Sequence, residues 1–294
     1  MIVYNSCPLC DNQNIYKVLS AKDYTVSAEN FEIWECGNCS LRFTQNIPDA
    51  QHIGKYYKSE DYISHSDTKK GFINSLYHSV RKRTLQQKRN LVESFTNKSA
   101  GNILDIGAGT GAFLNAMSGW NCSGTEPEEN ARNKAKELYG IDLKNAEALF
   151  SLPVSSFDAI TMWHVLEHVH QLHENISQFK NLLKEDGKLF IAVPNYTSED
   201  AKIYGQYWAA YDVPRHLYHF SPKSMKTLLN EHGLELKNVK PMWFDSVYVS
   251  LLSEKYKTGK SNIVKAFMNG MKSNLKALSN KSKCSSVIYI ASVK

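Results

Sequence analysis

Residues 102–114 read Asn-Ile-Leu-Asp-Ile-Gly-Ala-Gly-Thr-Gly-Ala-Phe-Leu. Ile103, Leu104 and Ile106 make a short apolar run of the kind that forms a buried parallel strand. Gly107, Gly109 and Gly111 then form a turn before an apolar-periodic helix start. Glycine tolerates positive φ and lets the main chain come within contact of a ligand. The free N–H groups of a helix start favour an anionic or polar ligand group.

The spacing is Asp105-x-Gly107-x-Gly109-x-Gly111, not the G-x-G-x-x-G of nicotinamide and flavin enzymes. The next strand, over residues 122–125, ends in Glu126, nineteen residues after Gly107. An acid there can accept bonds from both hydroxyls of a ribose. A tight strand–helix turn with no ligand is the plainer alternative, and the order of the later motifs weighs against it. Together the loop and the acid resemble the class I S-adenosylmethionine (SAM)-dependent methyltransferases. The resemblance covers about residues 97–294. It implies that Gly107, Ala108, Gly109 and Gly111 pass under the methionine and ribose parts of SAM, with Asp105 below them. It also implies that Glu126, beside Pro127, holds the ribose.

The same family often has an acid and a small residue after its third strand, against the adenine. Here a strand near residues 141–144 leads into Asn145, Ala146 and Glu147. Asparagine stands where aspartate is common, and it can both donate and accept. The stretch Ser155-Ser156-Phe157-Asp158-Ala159-Ile160 enters a fourth strand that ends at Trp163, another expected cofactor neighbour.

His164-Val165-Leu166-Glu167-His168 follows. On a helix His164, Glu167 and His168 would share a face. The inverted zinc-peptidase pattern H-x-x-E-H also fits, but it sits at the end of a methyltransferase strand and lacks an identifiable third ligand. By resemblance, an acid and histidine here face the substrate, and relatives with E-x-x-E-H hold a divalent metal. His164 replaces the first Glu of that pattern. Helix-capping histidines are the third possibility. His168 is the candidate base, with Glu167 orienting it or His164 taking its place.

Cys7-Pro8-Leu9-Cys10 and Cys36-Gly37-Asn38-Cys39 place two knuckles twenty-five residues apart. Four thiolates suit a structural zinc ion, because they leave no open position. Disulfides are the alternative, disfavoured in a reducing compartment. The 294 residues accommodate one large α/β domain and a small appendage, and 42% hydrophobic content supports an ordinary core. Net charge is +6, milder than in dedicated nucleic-acid binders, which favours a small-molecule acceptor over nucleic acid without excluding the latter. No apolar run has the length of a membrane span and the N-terminus has no secretory pattern, so a cytoplasmic protein is expected.

The expected organisation is a zinc ribbon at 1–46, then a linker and helical cap of the cofactor site at 47–96. A methyltransferase domain at 97–294 follows, with insertions at 196–220 and 243–284. The fold class is α/β, a Rossmann-like seven-stranded sheet in the order 3-2-1-4-5-7-6. The linker carries Tyr56, Tyr57 and Tyr62 and a short helix. The cap helix over 72–95 has a basic cluster, Arg81, Lys82, Arg83, Lys88 and Arg89, on its outer side. His170 and His173 read as surface residues. The aromatic stretch 196–220 reads equally as a substrate lid or a satellite core. In the lid reading Arg215 grips a phosphate or carboxylate. Residues 263–278 carry an apolar helical stripe among lysines. Such a helix can lie on a membrane, but packing on the protein or on a dimer mate is the commoner outcome.

The implied activity is transfer of the SAM methyl group to a small-molecule acceptor, such as a sugar, a quinone-like compound or another secondary metabolite. The layout resembles sugar C-methyltransferases but lacks their further C-terminal domain. A zinc-ribbon RNA methyltransferase and a non-catalytic SAM-binding interaction protein are the alternatives.

Overall fold

The computed structural model describes residues 1–57, 72–260 and 262–294. The first three strands are β1 (Ile15–Lys22), β2 (Asn30–Cys36) and β3 (Arg42–Thr44), and helix α1 (Phe72–Thr96) leads into the main sheet. There follow β4 (Asn102–Ile106), α2 (Ala112–Ala116), β5 (Asn121–Thr125), α3 (Glu129–Tyr139), β6 (Phe157–Trp163), α4 (Leu172–Leu182) and β7 (Leu183–Pro194). The remainder is α5 (Glu199–Tyr204), β8 (Tyr218–His219), α6 (Pro222–Glu231), β9 (Leu234–Pro241), α7 (Asp245–Thr258), α8 (Ile263–Ser279) and β10 (Ser286–Val293). Among the described residues no helix is long and apolar enough to cross a membrane.

The central sheet runs β5-β4-β6-β7-β10-β9. The β5-β4-β6-β7 neighbours are parallel, and β10 runs antiparallel between β7 and β9. This is the expected order with its outermost position reduced to one parallel bridge, Thr125 with Lys144. Two backbone bonds hold that bridge, Glu126 N–H to the Lys144 carbonyl and Lys144 N–H to the Gly124 carbonyl. Asn145 then caps a 3-10 turn over Ala146–Ser151, which ends the extended stretch before a strand can grow. Gly187 does not end α4, as its position suggests, but lies inside β7, where the pairing with β6 shifts register. A side chain there would meet the Lys184 and Phe157 carbonyls at 2.9 Å, so a glycine is required.

Both faces of the sheet are covered, which explains the successive apolar residues Ile103 and Leu104 in β4. On one face Ile103, Ala159 and Phe190 pack with Val92 of α1 and with Phe113 and Leu114 of α2. On the other, Leu104, Ile160 and Met162 belong to a core that continues through Leu217 and Phe220 into Leu9, Leu41 and Phe43 of the N-terminal ribbon. The ribbon sheet is β1-β2-β3-β8, so its edge is closed by two residues of the 196–220 insertion. The expected short helix in the linker is one 3-10 turn, Ile53–Tyr57. Residues 58–71, including Tyr62, lie outside the described residues.

Within 196–220 the aromatics form a satellite core: Tyr204, Trp208 and Tyr211 are buried with Phe31, Ile33 and Tyr56. Of the outcomes open to the 263–278 stripe, packing on its own chain does not occur. The buried residues of α8 are Ala266, Asn269, Gly270, Ser273 and Ala277, and its large apolar side chains face out.

Candidate active site

The glycine turn and Glu126 meet at the C-terminal ends of β4 and β5. Gly107 and Gly109 have φ of 64° and 55°, a conformation that β-carbon sterics penalise by about 1–2 kcal/mol in other residues. A Cβ on Gly107 would also lie 2.6 Å from Val165, so the turn touches the segment that follows β6. Helix α2 has only five residues, so the backbone N–H groups of the turn matter here more than a helix dipole. Glu126 accepts from Gly109 N–H at 2.8 Å and from Glu128 N–H at 3.1 Å. Its carboxylate is 8% exposed, and burial raises its pKa.

Asp105 lies under the turn, fully buried, and accepts from the Thr161 hydroxyl at 2.6 Å. Burial pushes its pKa up to about 7, against the Thr161 bond and the positive charge of Lys88. The Lys88 ammonium sits 4.3 Å from the centre of the Trp163 ring. Burial lowers its pKa, and Asp105 and Asp245 oppose that shift. Lys88 therefore does not belong to a solvated basic face. It reaches inward from α1 toward the ends of β4 and β6. Trp163 also meets Phe113 edge-on at 5.3 Å, and its ring nitrogen is buried with no hydrogen-bond partner among the described residues. Asn145, Ala146 and Glu147 stand exposed at the neighbouring sheet edge.

His164, Glu167 and His168 do not share an α-helical face. His164 leaves β6 with φ of 60°, and only Leu166–His168 forms a 3-10 turn. A non-glycine residue in that region costs on the order of 1–3 kcal/mol and persists where surroundings hold it. Here the surroundings are an Nε2 contact to Asp245 Oδ2 at 2.9 Å, an Nδ1 contact to Glu167 Oε1 at 3.4 Å and a backbone bond to Ala192. Burial disfavours charge on His164, but Asp245 and then Glu167 outweigh it and raise its pKa to about 10. His164 is thus a cation near neutral pH.

His168 is the opposite case. Burial, and then His216, lower its pKa to about 4, so it is neutral. Its Nδ1 lies 3.0 Å from both the Arg215 carbonyl and the Tyr57 hydroxyl. An Nδ1–H directed at that carbonyl leaves Nε2 with its lone pair. His216 repeats the arrangement, its Nδ1 being 2.9 Å from the Ala210 carbonyl. Glu167 is wholly buried, and neither of its oxygens has a hydrogen bond among the described residues. Donor atoms of Glu167, His168 and His216 all lie within 4.8 Å of one another, so these three could also hold a cation.

The lid supplies His216 but not a free arginine. Arg215 is 1% exposed and bonds Asp212, Asp23 of the ribbon and the Tyr56 carbonyl, so it ties insertion, ribbon and linker together instead of gripping a ligand. His170 and His173 are half-buried contacts to the carbonyls of Pro48 and Pro8. Sequence reasoning missed Asp245, Tyr57 and Lys88 and did not place His216 in the cluster. The adjacent run Pro214-Arg215-His216-Leu217 is a local signal that could have pointed to His216, whereas nothing local marks Asp245, 81 residues from its partner.

In the ribbon, Cys7, Cys10, Cys36 and Cys39 are free thiols whose sulfurs lie within 4.8 Å of one another. Cys7 and Cys39 are 3.5 Å apart, and Cys10 and Cys36 are 3.6 Å apart. Those edges fit a zinc tetrahedron, for which Zn–S of about 2.3 Å implies sulfurs about 3.8 Å apart. Leu9 N–H at 3.4 Å and the Asn38 amide at 3.7 Å point at the sulfurs, as thiolates require.

A methyltransferase-domain family model matches residues 77–239. Uncharacterised methyltransferases of Bacillus cereus and Bacillus mycoides are 29% and 28% identical over 127 residues, 41% of this chain and 59% of theirs. The chain thus spans about three-fifths of the length of the curated relatives it matches. The magnesium protoporphyrin IX methyltransferase of Synechocystis, solved with bound S-adenosylhomocysteine, superposes with a TM-score of 0.54 at 13% identity, covering 84% of this chain and all of that one. The chain belongs to the methyltransferase-domain family.

Proposed function

We propose that this member of the methyltransferase family transfers the methyl group of SAM to a small-molecule acceptor. The observation that carries the reading is the Glu126 carboxylate, held 2.8 Å from the Gly109 N–H across the ends of two adjacent parallel strands. With cofactor bound, Glu126 accepts from the ribose hydroxyls, and the turn from Gly107 to Gly111 passes beneath the sugar and methionine. Pro127 starts the segment beyond the ribose. Asn145, Ala146 and Glu147 border the adenine, and Trp163 packs against the cofactor's inner side. Lys88, desolvated over the Trp163 ring, is placed to meet the carboxylate at the methionine end of SAM.

SAM supplies a methyl carbon on a sulfonium that leaves without needing a proton. The chain's task is therefore to align an acceptor, exclude water and remove the acceptor's proton. His168 Nε2 takes that proton. Glu167, buried at the centre of the cluster, stabilises the resulting imidazolium. His164 is already protonated and cannot be the base; it holds Glu167 and Asp245 in place. The four ribbon cysteines bind a structural zinc ion.

A second reading has one specific observation in its favour. Glu167, whose oxygens accept no hydrogen bond among the described residues and whose Oε1 pairs with His164 at 3.4 Å, lies beside the His168 and His216 imidazoles and would accept a divalent cation, which would orient an acceptor oxygen in place of base catalysis. Calorimetric titration with SAM, comparing the zinc-loaded protein with Glu126→Ala, tests the main reading. Micromolar binding that weakens at least tenfold in the variant supports it. A folded protein that does not bind SAM overturns it. Titrating the same protein with Mg²⁺ and Mn²⁺ separates the base from the cation reading.

A further inference from the structure

We propose that the outer face of α8 docks on an anionic lipid surface. Amphipathic helices in water normally bury their large apolar side chains. This helix does the reverse. Ile263, Val264 and Leu278 are 72%, 71% and 70% exposed, and Phe267, Met268 and Leu275 exceed half. Three features hold the helix in this rotational setting. Ser273 donates to buried Asp200 at 2.6 Å, and the Asn269 amide donates to the Tyr204 hydroxyl at 3.0 Å. At Gly270 the helix approaches α7 so closely that a Cβ would sit 2.8 Å from the Ser246 carbonyl. Turning the stripe inward would break both bonds and drive bulky side chains into that contact, so the stripe needs an outside partner.

Charge selects the partner. Residues 255–283 contain eight lysines and no acid. At 100° per residue, Lys265, Lys272 and Lys276 form a row along one flank of the apolar stripe; Lys265 pairs with buried Glu254 at 3.0 Å, which leaves Lys272 and Lys276 as the row's lipid-facing cations. Trp243 and Phe244, 38% and 40% exposed, extend the face, because the Asn274 amide bonds the Trp243 carbonyl. A two-fold contact with a second copy would bring equally basic surfaces together. An anionic bilayer satisfies both halves of the pattern: apolar side chains enter the headgroup boundary, lysines meet lipid phosphates, and tryptophan sits at the interface. The same hairpin begins at Asp245, which bonds His164 and so ties the hairpin to the candidate site.

The test is flotation of the full zinc-loaded chain with phosphatidylglycerol–phosphatidylcholine vesicles or pure phosphatidylcholine vesicles, needing neither SAM nor acceptor. Binding is expected to the anionic vesicles, at least tenfold weaker to the neutral ones, and reduced by salt. Phe267→Glu with Leu275→Glu should abolish flotation while leaving the melting temperature unchanged, since both side chains are exposed. Lys272→Glu with Lys276→Glu should weaken it at least about fivefold per lysine. Failure to float with anionic vesicles, or equal binding to both kinds, overturns the proposal. A dimer in sedimentation that the Phe267/Leu275 variant converts to monomer also overturns it and gives the face to a second copy.

Discussion

The two halves of the candidate site meet where Val165 presses on Gly107, yet they are assembled in opposite ways. The proposed cofactor half is mostly one stretch, Asp105 to Glu147, joined by neighbouring parallel strands, with Trp163 at the end of the adjacent β6 and Lys88 from α1 added to it. The acceptor half is gathered from distant segments. Glu167 and His168 follow β6, His216 comes from the 196–220 insertion, Tyr57 from the linker and Asp245 from the start of α7. The ribbon holds these pieces in register. Thr44 donates to the His216 carbonyl at 2.7 Å, Arg42 donates to the Tyr211 hydroxyl at 2.8 Å, and Asp23 accepts from Arg215 at 3.1 Å. A site built locally should survive losses elsewhere, whereas a site built by convergence should fail when any contributor is released.

Removing the metal proposed for the ribbon's four cysteines is the most severe way to break this contrast. Stripping zinc with a chelator, or replacing Cys39 with Ser, frees β3 and with it β8 and His216. Methyl transfer should fall at least a hundredfold while SAM affinity changes less than threefold, read by calorimetry and single-turnover assays. Equal loss of both would mean that the ribbon supports the whole molecule and that the two halves are not separable. The next largest effect belongs to Gly107→Ala, at the seam between them. Its positive φ and the 2.6 Å approach to Val165 should together cost about 2–3 kcal/mol of stability, measurable by denaturant unfolding. Both SAM affinity and turnover should drop, because the added Cβ displaces the turn and the His164 segment together.

Asp245→Asn is directed at one half alone. The carboxylate holds His164 from 81 positions away, and the amide keeps its shape without the charge. Turnover should fall about tenfold with SAM affinity unchanged. His164 titrates higher in the fold, at about 10, than its ordinary 6.5. A raised pKa contributes stability that is complete below 6.5 and disappears as pH climbs through about 10. Thermal stability of the wild type should therefore decline between pH 7 and 10, and the Asn variant should flatten that slope. A variant as pH-sensitive as the wild type would remove Asp245 from the pairing.

The contrast also explains what the sequence made legible. The β4 run, the glycine turn and Glu126 depend on neighbours a few residues or one strand away, and periodicity and turn chemistry report such neighbours directly. The cysteine knuckles are legible for the same reason, each pair being local. The third strand was overread because Ile141 to Lys144 has strand-like composition, while the Asn145 cap that cuts it short acts three residues on. For Arg215 the lid and satellite-core readings stay equal in the sequence, because a guanidinium in an aromatic stretch looks the same whether it meets a ligand or a buried aspartate. The α8 stripe leaves membrane, protein and dimer mate open, because amphipathicity gives a pattern but not its direction. That direction was set by Gly270, Ser273 and Asn269, residues with no hydrophobic signal.

The finest test asks which of the two neighbouring histidines takes the proton. His164 and His168 are four residues apart, yet at neutral pH the first is charged and the second neutral. His168 is desolvated and faces His216, which brings its pKa to about 4. A depressed histidine pKa means that protonation opposes the fold, so stability from the neutral ring is present above 6.5 and is lost as pH falls toward 4. The same neutrality keeps Nε2 available for an acceptor proton throughout that range. The acid limb of kcat/KM for methyl transfer should therefore lie near pH 4 to 5, not near 6.5. His168→Gln should abolish that dependence together with most of the turnover, leaving SAM affinity unchanged. A limb near 6.5 would mean that the working base sits in water, outside this buried cluster. The convergent half would then serve to shape the pocket, and the reacting acceptor would have to be activated from elsewhere.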